Sequence, residues 1–554
     1  MKRMTLTVLF SLLWLCSAIM AGSAWGQGCK DNVLKTGLVS PDKGAVDPTA
    51  AVDPNDSQAS VFTFTKASPP ALPGSIVAYS LDGNNTFHEL SIPLITNSTT
   101  FTTTGQAFNT IDANHAAQLT YVGGDSSGSN SIAYVNLSLS SQTFGPAITV
   151  ATNGAGSNMS FLNPTIAVQN NPTSNTLFVS ALNQSSSPTA TNEVVVSESN
   201  DSGNTWTTAS TPTAGHNPSR VGGLQFDGTL GLVAVNWEEP SGIAGVTLQW
   251  ASISSDHGQT WTQHKMGARG TPFFANLTGP NDNGTQMTFT PIDSRFYFGY
   301  EDQVSSTNVQ IKTFNCDNTL SNCTPPMEVG PATGFNWLPY IFSSPTSPNP
   351  GGTVFITLDH YSGALPVTSK ELIVVSSNNG GISWSKSDLV FKPVLSTGTF
   401  FSSYQRGAAL NDTAFLAWTT DQDKNGVPAG QLKFAATTFP SVTDTVSPNF
   451  PSSVIHNTPF TGVLNVNASS GTSWAMNTNF AGVNVLDVVS STGITCTVSG
   501  KTLKCGDSSG GNGYIQLALE APKIGTIKVT GKITAPACNT DSAGGNFNDT
   551  FPAN

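Results

Sequence analysis

The sequence predicts an all-β chain: a six- or seven-bladed β-propeller, with seven blades favoured, followed by a small β-sandwich. Three observations carry that prediction. Short runs rich in Val, Ile, Phe and Thr alternate with Gly, Pro and Asn punctuation, the pattern of strands and turns rather than of helices. An octapeptide recurs along the chain at intervals of roughly 60 residues, the size of a four-stranded unit with its loops. At about residue 443 the pattern gives way to a Pro/Ser/Thr stretch and then to about 100 residues of short alternating strands, the size of one sandwich domain.

In chain order, residues 1–26 read as a signal peptide. Lys2 and Arg3 precede an apolar core that runs from Thr5 to Met20, and Ala24-Trp-Gly26 places small side chains where a signal peptidase reads them. No later stretch is long and apolar enough to span a bilayer, so the mature chain is expected to lack a transmembrane segment. Cysteine usage agrees with export. Cys316/Cys323 and Cys496/Cys505 are each close enough in sequence to close a small loop in an oxidising compartment. Cys29 and Cys538 are left over, and their connectivity stays open.

Residues 27–44 form an N-terminal segment and residues 45–442 the propeller. Strand triplets recur in it: Val221 to Phe226, Leu232 to Trp237 and Thr247 to Ile253 in one unit, and Gly407 to Leu410, Ala414 to Trp418 and Leu432 to Ala436 in the last. Unit starts also resemble one another. Pro48-Thr-Ala-Ala-Val52 echoes Pro164-Thr-Ile-Ala-Val168, with Asn217-Pro218 and Pro339 at points taken as equivalent. Counting the first unit gives seven blades; letting it complete the last blade gives six. Residues 443–458 read as a linker and residues 459–554 as the sandwich, within which Cys496 and Cys505 close a hairpin.

The repeated octapeptide is Ser199-Asn-Asp201-Ser-Gly203-Asn-Thr205-Trp206, then Ser254-Ser-Asp256-His-Gly258-Gln-Thr260-Trp261, then Ser377-Asn-Asn379-Gly-Gly381-Ile-Ser383-Trp384, with a worn copy from Ser80 to Phe87. The Asp can accept backbone N–H groups inside a turn, the Gly supplies a positive φ, and the Trp buries a large ring at the start of the next strand. These copies resemble the Asp box of the sialidase-like, BNR-repeat superfamily. The tail, with Thr530-Gly-Lys-Ile-Thr534, resembles bacterial immunoglobulin-like repeats. The resemblance implies an Asp-box propeller with the boxes on its outer rim, and a chemistry drawn from sialidases, other glycoside hydrolases or non-enzymatic binders.

A sialidase of that family would gather three arginines on a substrate carboxylate, because the guanidinium fork matches a carboxylate bidentately. Beyond the leader the chain has only Arg220, Arg269, Arg295 and Arg406, and it lacks the family's Phe/Tyr-Arg-Ile-Pro motif. The catalytic candidates are accordingly Arg220, Arg295 and Arg406, with Tyr404 and Glu238 as nucleophile and base. Other glycosidases need two carboxylates flanking the scissile bond, for which Glu238, Glu239, Glu301, Asp302 and Asp359 stand at strand ends. Asp421-Gln-Asp423-Lys-Asn425-Gly426 has the alternating oxygen ligands of a calcium loop, without the carboxylate expected at its twelfth position.

The formal charge is −12 and only 10% of residues are charged, a surface that does not draw nucleic acid or anionic lipid. The expected partner is a glycan or an extracellular protein. The chain reads as a monomer, secreted, at the cell surface or in the periplasm. Two functions stand: a propeller face that binds such a ligand, or a secreted exo-sialidase-type glycoside hydrolase.

Overall fold

The computed structural model describes residues 33–554 except short gaps and the longer segments 41–44, 67–73, 95–102, 125–129, 169–174, 271–283, 348–351, 362–369, 392–405, 420–431, 439–444, 468–473, 508–512 and 535–545. It is all-β, and the chain divides into two compact units, residues 33–441 and a second containing residues 442–554. Among the described residues no helix is long and apolar enough to cross a membrane.

The first unit is a succession of antiparallel sheets in which each strand pairs with the next in sequence. The first blade is Ala45–Asp53, Asp56–Lys66, Gly74–Ser80 and His88–Ser91. The second to fourth blades start at Thr103–Ile111, Met159–Val168 and Arg220–Asp227. An eight-stranded sheet follows, but its halves, which start at Gln286–Thr290 and Phe335–Ser344, meet only through one parallel bridge between Val309 and Phe335. They are therefore a fifth and a sixth blade. The seventh is Arg406–Leu410, Thr413–Thr419 and Leu432–Thr438, whose outermost strand is Val33–Ser40. Each starting strand packs against the starting strands of the blades before and after it, and the first packs against the seventh. The innermost strands thus close a ring of seven.

The N-terminal segment takes a place that the reading above did not give it. The strand that completes the last blade is Val33–Ser40, not the unit that begins at Ala45. Leu432–Thr438 would otherwise expose an unpaired edge, and the register from Val33↔Thr437 to Ser40↔Leu432 covers it.

Aromatic and aliphatic side chains between the blades form the core, as with Phe178, Val196, Val235 and Trp237 between the third and fourth blades. The large aromatic side chains of Trp237, Tyr300, Trp337 and Trp418 are buried in these clusters.

The boxes form as their residue types require. Asp201 accepts the Thr205 N–H at 2.8 Å and the Thr205 hydroxyl at 2.6 Å, while Ser199 Oγ accepts the Gly203 N–H at 2.8 Å. Asp256 and Ser254 repeat these bonds with Thr260 and Gly258. In the third copy the Gly381 N–H reaches Ser377 Oγ at 3.0 Å and Trp384 packs on the sixth-blade core, whereas Asn379 lies outside the described residues. The worn copy is intact: Asp82 holds Thr86, and Asn84 takes the glycine's place at φ 64°. The fifth blade has a covalent counterpart, the Cys316–Cys323 disulfide, which encloses a turn held by Asp317.

The second unit is two antiparallel sheets over one core. One contains Thr445–Asn449, Pro459–Asn467, Gly513–Glu520 and Asn484–Ser490; the other has Trp474–Ala481 at its centre. Burial alternates strictly along Trp474–Ala481, so Trp474, Met476 and Phe480 point inward with Leu464, Leu517, Val529 and Ile533. The stretch read as a linker contributes the strand Thr445–Asn449, which pairs with Pro459–Asn467. Cys496–Cys505 is a disulfide across paired residues of one hairpin. Cys29 and Cys538 lie outside the described residues.

Candidate functional site

In a blade of four up-and-down strands, the turns after the first and third strands share one face, and the blade entries share the other. The boxes follow third strands and mark the first face. Arg220 and Arg406 begin innermost strands and therefore stand at the second.

That second mouth is a polar cup of about 230 Å³. Asp47, Gln106, Asn163, Arg220, Gln286 and Arg406 line it, each from a different blade, with Gln184, Ser219 and Phe108 between them. A recurring irregularity builds the rim. The innermost strands of the first, second, third, fourth and sixth blades each slip register by one residue, two residues facing one on the partner strand, at Asp47-Pro48, Gln106-Ala107, Asn163-Pro164, Gly222-Gly223 and Leu338-Pro339. Asp47, Gln106, Asn163 and Leu338 have φ between 44° and 51° there. The freed N–H groups find side-chain acceptors: Asn163 N–H donates to Gln106 Oε1 at 2.9 Å, Gly223 N–H to Asn236 Oδ1 at 2.5 Å, and Leu338 N–H to Glu301 Oε2 at 3.1 Å. The fourth blade needs glycines because a Cβ on Gly222 would lie 2.1 Å from the Thr285 carbonyl oxygen.

These bulges explain the repeated unit starts. Asp47-Pro-Thr49 and Asn163-Pro-Thr165 are equivalent, as is Pro339, but the fourth-blade counterpart is Gly222-Gly223 rather than Asn217-Pro218. Asn217 and Pro218 instead tie the entry of that blade to Asn192.

Within the cup, the Arg406 guanidinium lies 3.8 Å from the centroid of the Phe108 ring and 5.4 Å from that of Tyr340. Burial pushes the Asp47 carboxyl above the usual carboxylate range, and the positive charge of Arg406 opposes that shift without cancelling it.

The other sequence candidates fall elsewhere. Arg295 pairs with Thr290 at the end of the fifth innermost strand, on the box face, and donates to Asn315 Oδ1 at 2.8 Å. The three arginines therefore do not converge; two do. Glu238 reaches the entry face but is buried in a two-point ion pair with Arg269, at 2.7 and 2.8 Å, and accepts the Thr285 N–H at 2.8 Å. Among the other carboxylates, Glu239 holds His216 at 3.2 Å and Asp302 holds Lys312 at 2.6 Å. Glu301 and Asp359 are buried. Tyr404 and the calcium-loop residues Asp421, Asp423 and Asn425 lie outside the described residues. Among the described residues no group of three or more His, Cys, Asp or Glu side chains is placed to hold a metal ion.

Asp47, Gln106 and Asn163 were not singled out as site residues by sequence reasoning. The recurrent x-Pro-Thr unit start could have found Asp47 and Asn163, whereas Gln106 is followed by Ala107 and carries no such mark.

The sequence matches no protein-family model and no curated protein. Its structure is similar to the α-L-arabinanase of Penicillium chrysogenum, with 12% identity, a TM-score of 0.41, and 73% of this chain and 98% of that one covered. For an α-L-arabinofuranosidase of Fusarium graminearum the values are 10%, 0.43, 74% and 98%. For Trypanosoma rangeli sialidase they are 9%, 0.37, 92% and 88%.

Proposed function

We propose that this chain is an exported recognition protein whose propeller binds an acidic glycan in the entry-face cup. One observation carries the reading: Arg220 and Arg406 enter one small cavity from the fourth and seventh blades, with the amides of Gln106, Asn163, Gln184 and Gln286 around them. Guanidinium groups suit a carboxylate, and amides that both donate and accept suit sugar hydroxyls. The Glu238 carboxylate, which a hydrolytic reading would use, is neutralised by Arg269. Two disulfides fit an oxidising, extracellular setting.

Calorimetry with acidic and neutral oligosaccharides tests the proposal. The native chain should prefer the acidic member, Arg220→Ala and Arg406→Ala should each weaken binding about tenfold or more, consistent with loss of a charge-assisted contact, and Arg295→Ala should bind as the native chain does. Equal binding by the two cup variants would discard the site.

A glycoside hydrolase is the second reading, and Asp47 is the observation that favours it. A carboxyl with a raised pKa in a sugar-sized cup suits a general acid. Turnover of a fluorogenic sialoside or arabinoside, abolished in Asp47→Asn, would establish it. Repeating the assay with calcium and with a chelator also tests the proposed loop at Asp421, Asp423 and Asn425.

A further inference from the structure

The cup holds one acid among its cations, and that acid is placed where it must compete with an anionic ligand. Asp47 stands on the first-blade bulge at φ 51°, with its backbone direction restrained by the following Pro48. It lines the same 230 Å³ cavity as Arg406 and Arg220. Arg406 is not free to swing away cheaply, because its guanidinium is seated on the Phe108 ring at 3.8 Å and near Tyr340. Among the described residues, the charged groups that line the cup with Asp47 are Arg406 and Arg220; the second, third and fifth blades present the amides Gln106, Asn163 and Gln286.

We propose that Asp47 gates the cup by charge: ionised, it occupies the field of Arg406 and repels a ligand carboxylate; neutral, it lifts that repulsion and adds a hydroxyl donor. Capture of an acidic sugar is then coupled to uptake of one proton by Asp47, and release follows as the pH rises. The inference rests on the reading of the cup as an acidic-glycan site and adds its regulation. Two like charges in a small, partly desolvated cavity repel far more than they do in water. Burial raises the affinity of Asp47 for its proton and so moves the switch upward from the ordinary carboxylate range.

Asp47→Asn removes the titration and keeps the shape. Asn163 occupies the equivalent bulge before Pro164 at φ 50°, so asparagine fits this backbone. The experiment is calorimetric titration of the full mature chain with digalacturonate from pH 4.5 to 8, with lactose as the neutral control. Native affinity for digalacturonate should fall with rising pH, by up to tenfold per unit where Asp47 titrates. Asp47→Asn should hold the tighter affinity across the range. A native affinity independent of pH, or a slope that persists in Asp47→Asn, overturns the gate while leaving the acidic-glycan site standing. Failure of the native chain to bind digalacturonate or free N-acetylneuraminate at any pH overturns that site and the gate together.

Discussion

At the scale of single residues, the box glycines do two things that only glycine does together. Gly203 has φ 87°, and a Cβ there would lie 2.1 Å from the ring of Tyr134 in the preceding blade. Gly231 has φ 66° with nothing within 4 Å of its Cβ position. Gly231→Ala should therefore cost only the left-handed conformation, about 1–2 kcal/mol, and Gly203→Ala roughly 1–3 kcal/mol more from overlap. Urea unfolding of the two variants measures the difference. The acids separate by pKa in the same way. Hydrogen bonds from the Thr260 hydroxyl and backbone hold Asp256 down to about 2, and equivalent bonds from Thr205 lower Asp201. A depressed carboxylate contributes stability that is full above its unfolded value near 4 and lost as pH falls toward 2. Carbon-detected titration of the box carboxylates should show Asp256 ionised at pH 4 and Asp201 titrating below an unperturbed aspartate. Asp47 has the opposite sign: its raised value means that the fold loses stability as pH rises above the unfolded value. Asp47→Asn should raise the thermal midpoint at pH 7 and leave it unchanged below pH 4.

At the scale of elements, the Glu238–Arg269 pair joins the fourth blade to the entry of the fifth. Both side chains are almost wholly buried, Glu238 also accepts the Thr285 hydroxyl at 2.6 Å, and Arg269 Nη1 donates to the Glu301 carbonyl at 3.3 Å. Removing one partner strands the other charge. Arg269→Ala should cost about 3–5 kcal/mol, and Glu238→Gln with Arg269→Met should recover most of that. Chemical denaturation of the three variants checks this, and recovery in the double variant would identify the pair as a clamp rather than a catalytic acid. The legibility of elements varied for a related reason. Strand triplets such as Leu232 to Trp237 were readable because β-branched and aromatic runs between turn residues have few alternative structures. The strand Thr445–Asn449 was not, because a short Thr/Val/Ser/Pro run looks like a connector until Pro459–Asn467 pairs with it.

At the scale of the whole molecule, the ring is closed by hydrogen bonds: Val33–Ser40 supplies the outer strand of the seventh blade. A chain that lacks residues 1–40 should show a lower thermal midpoint and concentration-dependent association, since it bares the edge of Leu432–Thr438. Scattering and calorimetry read both effects. An unchanged monomer of native stability would mean that closure rests on the blade interfaces alone. The C-terminal unit has its own core of Leu464, Trp474, Phe480, Leu517 and Val529, so residues 442–554 should fold when expressed alone.

The sequence by itself determined the local chemistry of this protein: the all-β class, the hairpin staples at Asp201 and Asp256, the two short-loop disulfides and the repeat length. Each depends on residues within about ten positions of one another, where turn geometry and side-chain type leave few choices. Only the tertiary structure decided which distant residues meet. Arg295 and Arg406 look alike in sequence, each just before an apolar strand, yet one begins a second strand on the box face and the other a first strand on the entry face. Glu238 was legible as a carboxylate at a strand end, but its neutralisation by Arg269 depends on the packing of its own blade's outermost strand. Asp47 drew no attention as a site residue until a bulge shared by five blades turned its position toward the axis. Convergence at a propeller mouth is set by strand register and ring closure, which are cooperative properties of all seven blades and leave no mark within any one of them.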